Sequence, residues 1–278
     1  MTAPQFPDPT WFVGCGNMGG AIVEGWRSAG LDLSNLIVIR PSGKEVPGTR
    51  TVKTLAEAGP PPKLVILGFK PQKLDEVASQ LRNWLTSKAI IVSILAGAEA
   101  ASLKQRFPKA AAIVRAMPNL PVAIRRGVVA LYSEDADDAQ RMQIAELFAP
   151  LGFAPWMPDE IKFAAVGSVA GAGPAYVARF VDALRKAGEE WGLSTEIASV
   201  VALETVLGTA WMAATTGEKM DEVARRVASP NGTTEAGLAV LDHDAVLDQL
   251  ISVTFEAAAR REAELADQAK LAEPARLS

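Results

Sequence analysis

Short, wholly apolar runs alternate with longer amphipathic stretches along the first half of the chain. The apolar runs are Trp11–Val13, Leu36–Ile39, Leu64–Leu67, Ile90–Val92, Ala112–Val114 and Val128–Tyr132. The amphipathic stretches are Met18–Ala29, Gln72–Leu85, Ala98–Phe107 and Asp135–Ala149. Runs that are apolar at every position are typical of parallel strands buried on both faces. The pattern therefore predicts an α/β domain with a doubly wound sheet and right-handed crossovers.

The pattern changes after Pro158, where the β-branched runs stop and long helical segments begin. These segments are Asp159–Val166, Pro174–Trp191, Thr195–Thr215, Glu218–Ala228, Thr233–Leu241 and Ala245–Gln268. Turn residues cluster at the breaks between them, at Gly192, Gly217, Ser229–Gly232 and His243. We therefore expect two domains, a doubly wound domain over residues 10–158 and an all-helical domain over 159–278. Helices rich in Ala and Val suit close packing, including packing between subunits.

Composition narrows the classes of function. The 278 residues carry a net charge of −4, which argues against a nucleic-acid partner. One cysteine excludes an internal disulfide, and with a single histidine it makes a zinc site improbable, so we expect no metal. Residues 1–10 lack the basic start and apolar run of a secretory signal, and the apolar strand runs are shorter than the roughly 18 residues that span a bilayer. These observations favour a soluble, cytoplasmic protein without a membrane partner.

A glycine-rich turn follows the first strand and opens the first helix. Gly14-Cys15-Gly16-Asn17-Met18-Gly19 matches G-x-G-x-x-G, in which the glycines permit a tight turn, backbone approach to a pyrophosphate and helix–sheet packing. The helix N-terminus adds amide donors for the phosphates. A plain strand–helix turn is the alternative, but this context favours a dinucleotide site in a Rossmann-type domain. Its contacts would come from Val13, Gly14, Cys15, Gly16, Asn17 and Met18.

The end of the second strand indicates which dinucleotide binds. An NAD site normally ends this strand with Asp or Glu for the ribose hydroxyl, whereas this chain has Arg40, Ser42 and Lys44. Arg40 and Ser42 suit a 2′-phosphate, so NADPH is expected, with NADH weaker. The alternative is a solvated loop with incidental charges.

Later loops at the same edge of the predicted sheet are also candidates for the cofactor, because ligands bind outside the carboxyl ends of the strands. Lys70 could contact the phosphates or the ribose, and the alternative is a surface lysine beside a helix-starting proline. Asn119 follows the fifth strand and is expected to position the nicotinamide or the substrate ring. The full set of further candidates is Phe69, Lys70, Pro71, Ile94, Leu95, Ala96 and Asn119.

Five motifs in this order resemble the pyrroline-5-carboxylate reductase family over the whole chain after Thr10. Besides the glycine-rich turn, they are Phe69-Lys70-Pro71-Gln72, Arg115-Ala116-Met117-Pro118-Asn119, Gly171-Ala172-Gly173-Pro174-Ala175-Tyr176 and Ser229-Pro230-Asn231-Gly232-Thr233-Thr234. The resemblance implies NADPH-dependent reduction of 1-pyrroline-5-carboxylate, a cyclic imino acid, to L-proline. It also implies a homodimer interlocked through the helical domain, often assembled into a larger ring.

This chain departs from the family where hydroxyl and acidic side chains are usual. Ala170 and Ala172 stand where the family has serines, Ala164 and Gly167 where it favours an acid and a threonine, and Asn231 where it has a first glycine. The cofactor motifs and the threonine pair are intact. The departures leave the exact imine open.

The loop from Ser229 to Thr234 precedes a helix, so its free amides suit a carboxylate. We expect Asn231, Gly232, Thr233 and Thr234 to hold the substrate, with Thr234 nearest the ring in the catalytic position. The alternative is an N-cap turn in which Thr233 caps its own helix.

The remaining polar residues leave alternatives open. Arg115 either contributes to the site or ties the two domains together by a salt bridge, and Glu160 either reaches the cofactor or is an ordinary acid at a helix start. We expect His243 to be a solvated turn residue between helices. A cyclic imine arrives largely protonated, so the single histidine fits hydride transfer to a bound iminium without an imidazole acid.

Three other functions compete with this one. A β-hydroxyacid dehydrogenase shares the glycine-rich start, but it uses a lysine that the stretch Gly167–Tyr176 lacks. Another imine reductase and a catalytically weak NADPH-binding scaffold both remain open.

The cofactor assignment predicts the effect of Arg40→Ala. Loss of the guanidinium removes a phosphate contact, so kcat/KM with NADPH is expected to fall while kcat/KM with NADH changes little. Steady-state kinetics with both cofactors measure the ratio. An unchanged ratio would contradict the assignment of Arg40 to the 2′-phosphate.

Overall fold

The computed structural model describes residues 4–271 of the chain. Within this range the strands form an eight-stranded sheet of order β3-β2-β1-β4-β5-β6-β7-β8. Neighbouring strands are parallel except β7, which runs antiparallel to β6. In chain order the strands are β1 Thr10–Val13, β2 Leu36–Ile39, β3 Arg50–Val52, β4 Leu64–Leu67, β5 Ile90–Ser93, β6 Ala112–Pro118, β7 Gly127–Tyr132 and β8 Gly152–Phe153.

Helices follow most strands and make up the second half of the chain. Short 3₁₀ turns lie at Pro71–Lys73, Leu120–Ile124, Ala149–Leu151 and His243–Ala245. The α-helices are α1 Asn17–Ser28, α2 Leu55–Ala58, α3 Leu74–Leu81, α4 Ala100–Arg106, α5 Asp138–Phe148, α6 Glu160–Glu190, α7 Thr195–Thr216, α8 Met220–Val227, α9 Thr233–Asp242 and α10 Val246–Leu271. The α/β class and the helical second half that the sequence predicts are confirmed.

The sheet is buried on both faces, as the apolar runs indicate. Alternate residues of each central strand enter different cores: Phe12 lies in one with Trp26, and Trp11 lies in the other with Phe107. Every residue of β1, β2, β4 and β5 is buried. Two short strands, β3 and β8, have no counterpart in the sequence analysis. Both are too short and too exposed to give an apolar run.

The predicted break between Asp159–Val166 and Pro174–Trp191 is wrong, because α6 is continuous with Pro174 inside it. A proline in a helix has no N–H to donate to the carbonyl four residues earlier, here that of Ala170. The side-chain amide of Asn119 donates to this carbonyl instead, at 3.0 Å from Nδ2 to O. The unpaired carbonyl that normally makes such a proline costly is thereby satisfied.

Contacts divide the chain into two compact units, and the division falls inside α6. One unit runs to Ala172 and takes in the end of α10 from Glu262, and the other is Gly173–Arg261. The predicted boundary at 158/159 marks the change from strands to helices. The first turns of α6 nevertheless belong with the sheet, because Phe163 is fully buried in a cluster with Ala130 and Tyr132.

The helices of the second unit expose much apolar surface. α7 is apolar on all sides, yet only Ala198 and Ala202 of its residues are buried. By length and composition alone, α6 and α7 are both long and apolar enough to cross a membrane. A helix that is apolar all round needs cover from other protein or from lipid.

The contact between α1 and the 3₁₀ turn Leu120–Ile124 generates a stability prediction. A Cβ on Gly25 would overlap the Val122 carbonyl and the Leu151 side chain, whereas a Cβ on Gly20 of the same helix would meet nothing within 4 Å. Gly25→Ala is therefore expected to lower the free energy of unfolding by about 1–3 kcal/mol through overpacking. Gly20→Ala is the matched control and is expected to raise it by roughly 0.5–1 kcal/mol, because alanine favours a helix. Thermal or urea unfolding measures both, and equal effects would contradict the packing argument.

Candidate functional site

The turn between β1 and α1 has a different constraint at each of its three motif glycines. Gly14 has a φ of +77°, and a Cβ there would lie 2.8 Å from the Phe69 Cβ. A Cβ on Gly19 would lie 3.0 Å from the Phe12 ring, so this glycine lets the helix approach the strand. A Cβ on Gly16 would meet nothing within 4 Å, so the backbone there faces open space. These are the three requirements of a dinucleotide turn.

The N-terminus of α1 is prepared for an anion. Its N-cap, Gly16, supplies no side-chain hydrogen bond, and the first turn contains no acidic residue. The first amides of the helix therefore lack both an internal partner and a neighbouring negative charge. Such a terminus binds phosphate through its amides and its dipole.

The strand register brings the candidate cofactor loops to a single edge of the sheet. Val13 pairs with Ile39 on one side and Leu67 on the other, and Leu67 pairs with Ser93. The loops after β1, β2, β4 and β5 consequently start level with one another. The chain order of the strands reverses at β1, and this switch point is where open α/β sheets bind ligands.

Arg40 lies within electrostatic reach of the glycine-rich turn. Burial raises the pKa of the Cys15 thiol, and the positive charge of Arg40 opposes that rise. Cys15 is thus a buried, protonated thiol, which fits its expected role as a small turn residue. Among described residues, the Arg40 guanidinium has no hydrogen-bond or ion-pair partner. The Gly43 amide donates to the Arg40 carbonyl at 2.9 Å, and this turn leaves Ser42 exposed beside it.

The loops after β4 and β5 combine packed and exposed residues. Phe69 packs against the core under β1, and Pro71 starts a 3₁₀ turn that leaves Lys70 exposed at its N-cap. In the other loop Ile94 packs on the core and Leu95 is buried, while Ala96 is exposed. The exposed members at this edge are free to meet a ligand. The structure thus brings the predicted loops together, and their cofactor contacts stay predictions.

Gly68, which belongs to the same predicted strand end as Phe69, completes this edge. A Cβ on Gly68 would overlap the Phe12 ring and lie 3.2 Å from the Gly14 carbonyl oxygen. The two turns therefore approach so closely that both need glycine. A glycine directly after an apolar strand run was the sequence signal available for it.

Arg115 forms an ion pair with the first residue of α6. Its Nη1 lies 2.8 Å from Oε1 of Glu160, and the same oxygen accepts a hydrogen bond from the Ala100 amide at 3.0 Å. The Arg115 guanidinium also stacks over the Phe163 ring, 4.5 Å from its centroid. Of the alternatives that the sequence left open, the structure supports the tie between the sheet and α6.

Two contacts from the end of β6 reach α6, one at Gly167 and one at Ala170. A Cβ on Gly167 would overlap the sulfur of Met117, so Met117 fills the space that a larger residue would need. Ala170 offers its carbonyl to Asn119, and its own side chain carries no polar group. Ala164 and Ser168 are linked through the Ser168 hydroxyl, which donates to the Ala164 carbonyl at 3.1 Å. This stretch of helix therefore presents few side-chain donors.

Residues 229–234 lie in the second unit and comprise the loop before α9 and the first two residues of that helix. Asn231 adopts a left-handed conformation with a φ of +56°, and Gly232 is the N-cap of the helix. The Asn231 amide donates to the Glu235 carboxylate at 2.6 Å, so this amide is not free as the sequence analysis expects. The first helical amides, at Thr233 and Thr234, receive no side-chain cap.

The threonine pair at the start of α9 differs from threonines inside the helices of the second unit. Thr205, Thr209 and Thr254 donate to the carbonyls four residues earlier. The hydroxyls of Thr233 and Thr234 have no such partner within the described residues, and Thr233 does not cap its own helix. Both hydroxyls remain available to a ligand.

His243 is exposed and pairs with Asp244 at 3.2 Å, as expected for a turn residue.

The strand order, the three glycines and the uncapped α1 terminus define the class: a dinucleotide-dependent oxidoreductase. Residues 11–97 match the family model "NADP oxidoreductase coenzyme F420-dependent", and residues 160–265 match "Pyrroline-5-carboxylate reductase dimerisation". The pyrroline-5-carboxylate reductase of Pseudomonas aeruginosa is 36% identical over 92% of this chain and 96% of its own. Pyrroline-5-carboxylate reductase 2 of Bacillus subtilis is 30% identical over 92% and 95%. The chain belongs to the pyrroline-5-carboxylate reductase family.

Solved structures agree with this assignment. The reductase of Coxiella burnetii superposes with a TM-score of 0.85 at 30% identity, covering 93% of this chain and 98% of its own. The Plasmodium falciparum enzyme, whose structure has NADP bound, gives 0.79 at 22% identity over 96% and 99%, which supports the fold. The resemblance read from the motifs is confirmed.

Because the dimerisation model spans both α6 and α7, self-association accounts for their exposed apolar surfaces.

The geometry of the β1–α1 turn predicts the effect of Gly16→Ala. The added methyl group meets no protein atom, so the melting temperature is expected to stay within about 2 °C of the parent protein. It does occupy the space at the helix N-terminus, so the Kd for NADPH is expected to rise by about tenfold or more. Fluorescence titration and thermal unfolding measure the two quantities. Gly20→Ala is the control, and equal cofactor affinity in all three proteins would contradict the site.

Proposed function

We propose that this chain catalyses the NADPH-dependent reduction of 1-pyrroline-5-carboxylate to L-proline, the last step of proline biosynthesis. The observation that carries the proposal is the intact glycine turn beside Arg40 in a member of this reductase family. The family match to the dimerisation domain over residues 160–265 supports it for the second half.

The cofactor is assigned to the shared edge of the first unit. The amides from Cys15 to Met18 hold the pyrophosphate at the α1 terminus, and Arg40 with Ser42 holds the 2′-phosphate. NADPH is thus preferred over NADH. The later loops, whose exposed members are Lys70 and Ala96, would line the rest of the cofactor. The remaining contacts come from Val13, Gly14, Phe69, Pro71, Ile94 and Leu95.

The substrate carboxylate is assigned to the start of α9. The amides of Thr233 and Thr234 and their unpartnered hydroxyls supply donors, with Asn231 and Gly232 shaping the turn. Glu235 already bonds the Asn231 amide, so the anion is held by the helical amides rather than by the whole loop. Thr234, which is partly buried, is the residue nearest the ring.

The reaction needs little acid chemistry from the protein. NADPH, when bound, supplies the hydride. The imine nitrogen is basic enough to carry its proton into the site, so hydride addition to the imine carbon gives the amine directly without an alkoxide to protonate. The residues of the chain orient the two rings, hold the carboxylate and exclude water. An exposed His243 is consistent with this scheme, since no imidazole is required.

The protein is further proposed to act in the cytoplasm as a homodimer or a larger ring. The exposed apolar residues of α7, among them Val200, Leu203 and Leu207, suit cover by a second copy of the chain. Its net charge of −4 supports neither a nucleic-acid partner nor binding to an anionic membrane surface.

A different cyclic imine is the second candidate substrate. Met117 fills the space over Gly167, alanines stand at 170 and 172, and the Ser168 hydroxyl donates to the Ala164 carbonyl. This part of α6 therefore offers little hydrogen bonding to a polar ring. Such a wall suits a more apolar imine. The same assay distinguishes the two substrates.

The test follows NADPH absorbance with purified protein. Turnover is expected to require added 1-pyrroline-5-carboxylate and to yield proline one-for-one with NADPH consumed. Turnover with only another cyclic imine would favour the second candidate, and NADPH binding without any turnover would overturn the enzyme assignment.

Thr234→Ala is expected to lower kcat/KM by about tenfold or more, through loss of a donor at the carboxylate, with the Kd for NADPH unchanged. Thr234→Ser keeps the hydroxyl as the matched control, and equal loss in both variants would contradict the role of that hydroxyl.

A further inference from the structure

Asn119 joins three elements at the edge that carries the cofactor loops. It directly follows β6 and is 7% exposed. Its Oδ1 accepts a hydrogen bond from the Val128 amide of β7 at 2.8 Å, and its Nδ2 donates to the Ala170 carbonyl of α6 at 3.0 Å. Both ends of a buried amide are thus engaged with backbone, which leaves its position little freedom.

The Ala170 carbonyl is available because Pro174 follows four residues later. In a regular helix that carbonyl would accept from the amide of residue 174, which proline lacks. Asn119 therefore replaces a donor that the helix itself cannot supply. Without it, a carbonyl in a partly buried position would lose its partner, at the cost of an unmade hydrogen bond.

A second contact from β6 acts on the same part of α6. Met117 lies two residues before Asn119, and its sulfur fills the space above Gly167, almost one helical turn before Ala170. Residues 167–170 are therefore held by packing at one end and by a hydrogen bond at the other. Both contacts start at the carboxyl end of β6, at the edge where ligands bind in such sheets.

We infer that Asn119 is a positioning residue for the reaction: its hydrogen bond to the Ala170 carbonyl, left without a helical donor by Pro174, fixes residues 167–172 of α6 as a wall of the substrate's site. The inference rests on the proposed function. It assigns the Asn119 amide to holding α6 rather than to direct contact with the cofactor.

The first measurement separates positioning from cofactor contact. Asn119→Ala is expected to lower kcat/KM for the imine by about tenfold to a hundredfold, as small misplacements in a site do, while the Kd for NADPH stays within about twofold. A rise in that Kd as large as the loss of kcat/KM would overturn the inference in favour of direct cofactor contact.

A second variant supplies a readout that a general loss of stability would not produce. In Asn119→Asp the carboxylate still accepts from Val128 but faces the Ala170 carbonyl with no donor. Protonation restores an O–H donor, and burial favours the protonated form. The defect relative to the parent protein is therefore expected to shrink as pH falls and to grow as pH rises through the carboxyl's folded-state pKa. Asn83→Asp makes the same change at an exposed site and is expected to show no such pH dependence. A defect in Asn119→Asp that does not vary with pH would count against the hydrogen bond.

The decisive measurement is a double-mutant cycle with Pro174→Ala. Alanine at 174 returns a backbone N–H to the Ala170 carbonyl, so Asn119→Ala is expected to cost several-fold less in that background than in the parent protein. The same cycle is measured on the urea-unfolding midpoint, which needs no turnover. Additive effects in both readouts would overturn the inference. Lack of turnover in the parent protein with coupling still present in unfolding would instead overturn only the proposed function.

Discussion

Two backbone turns meet at the centre of the sheet, and the cofactor edge depends on how closely they approach. Gly14 directly follows β1 and Gly68 directly follows β4, and neither position has room for a Cβ, because the added atom would strike the other turn or the Phe12 ring. The two turns approach each other backbone to backbone at this point. The α1 terminus is therefore held at the switch point with its amides uncovered, and the loops that carry Arg40, Lys70 and Ala96 start from the same line.

The second unit meets a different constraint, because its helices bury little of their own apolar surface. α7 is apolar all round, and a single chain covers only Ala198 and Ala202. The helical half is therefore not a complete folding unit in the way the sheet is, since its largest apolar faces need a partner. The dimerisation family model matches this region, so contact with a second copy of the chain explains the exposed apolar surface of α6 and α7. The same two helices are long and apolar enough to cross a membrane by length and composition alone.

Sequence patterns predicted the central strands, most helices and the place of the glycine turn, because these depend on local periodicity and on residues adjacent in the chain. They failed where the outcome depended on distant residues. The helical segments predicted to end at Val166 and restart at Pro174 are one continuous helix, in which Asn119, remote in sequence, supplies the donor that Pro174 lacks. Likewise, the Asn231 amide looked free from its position, but Glu235 occupies it. Edge strand β3 had no apolar run to recognise, since only Val52 of its three residues is buried.

A chain with one histidine can be a reductase only if its substrate carries the proton or another group supplies it. His243 is exposed and paired with Asp244. A cyclic imine meets the first condition, because its nitrogen is basic enough to carry the proton itself. It also explains why alanines at 170 and 172 are compatible with catalysis: side-chain hydroxyls there would not be needed as acids. What the inferred mechanism then requires of α6 is its position, which is held by the hydrogen bond from the Asn119 side-chain amide to the Ala170 carbonyl and by packing from Met117. On this inference the α6 side chains need no hydroxyls for the reaction, whereas the Asn119 amide that holds the helix is needed.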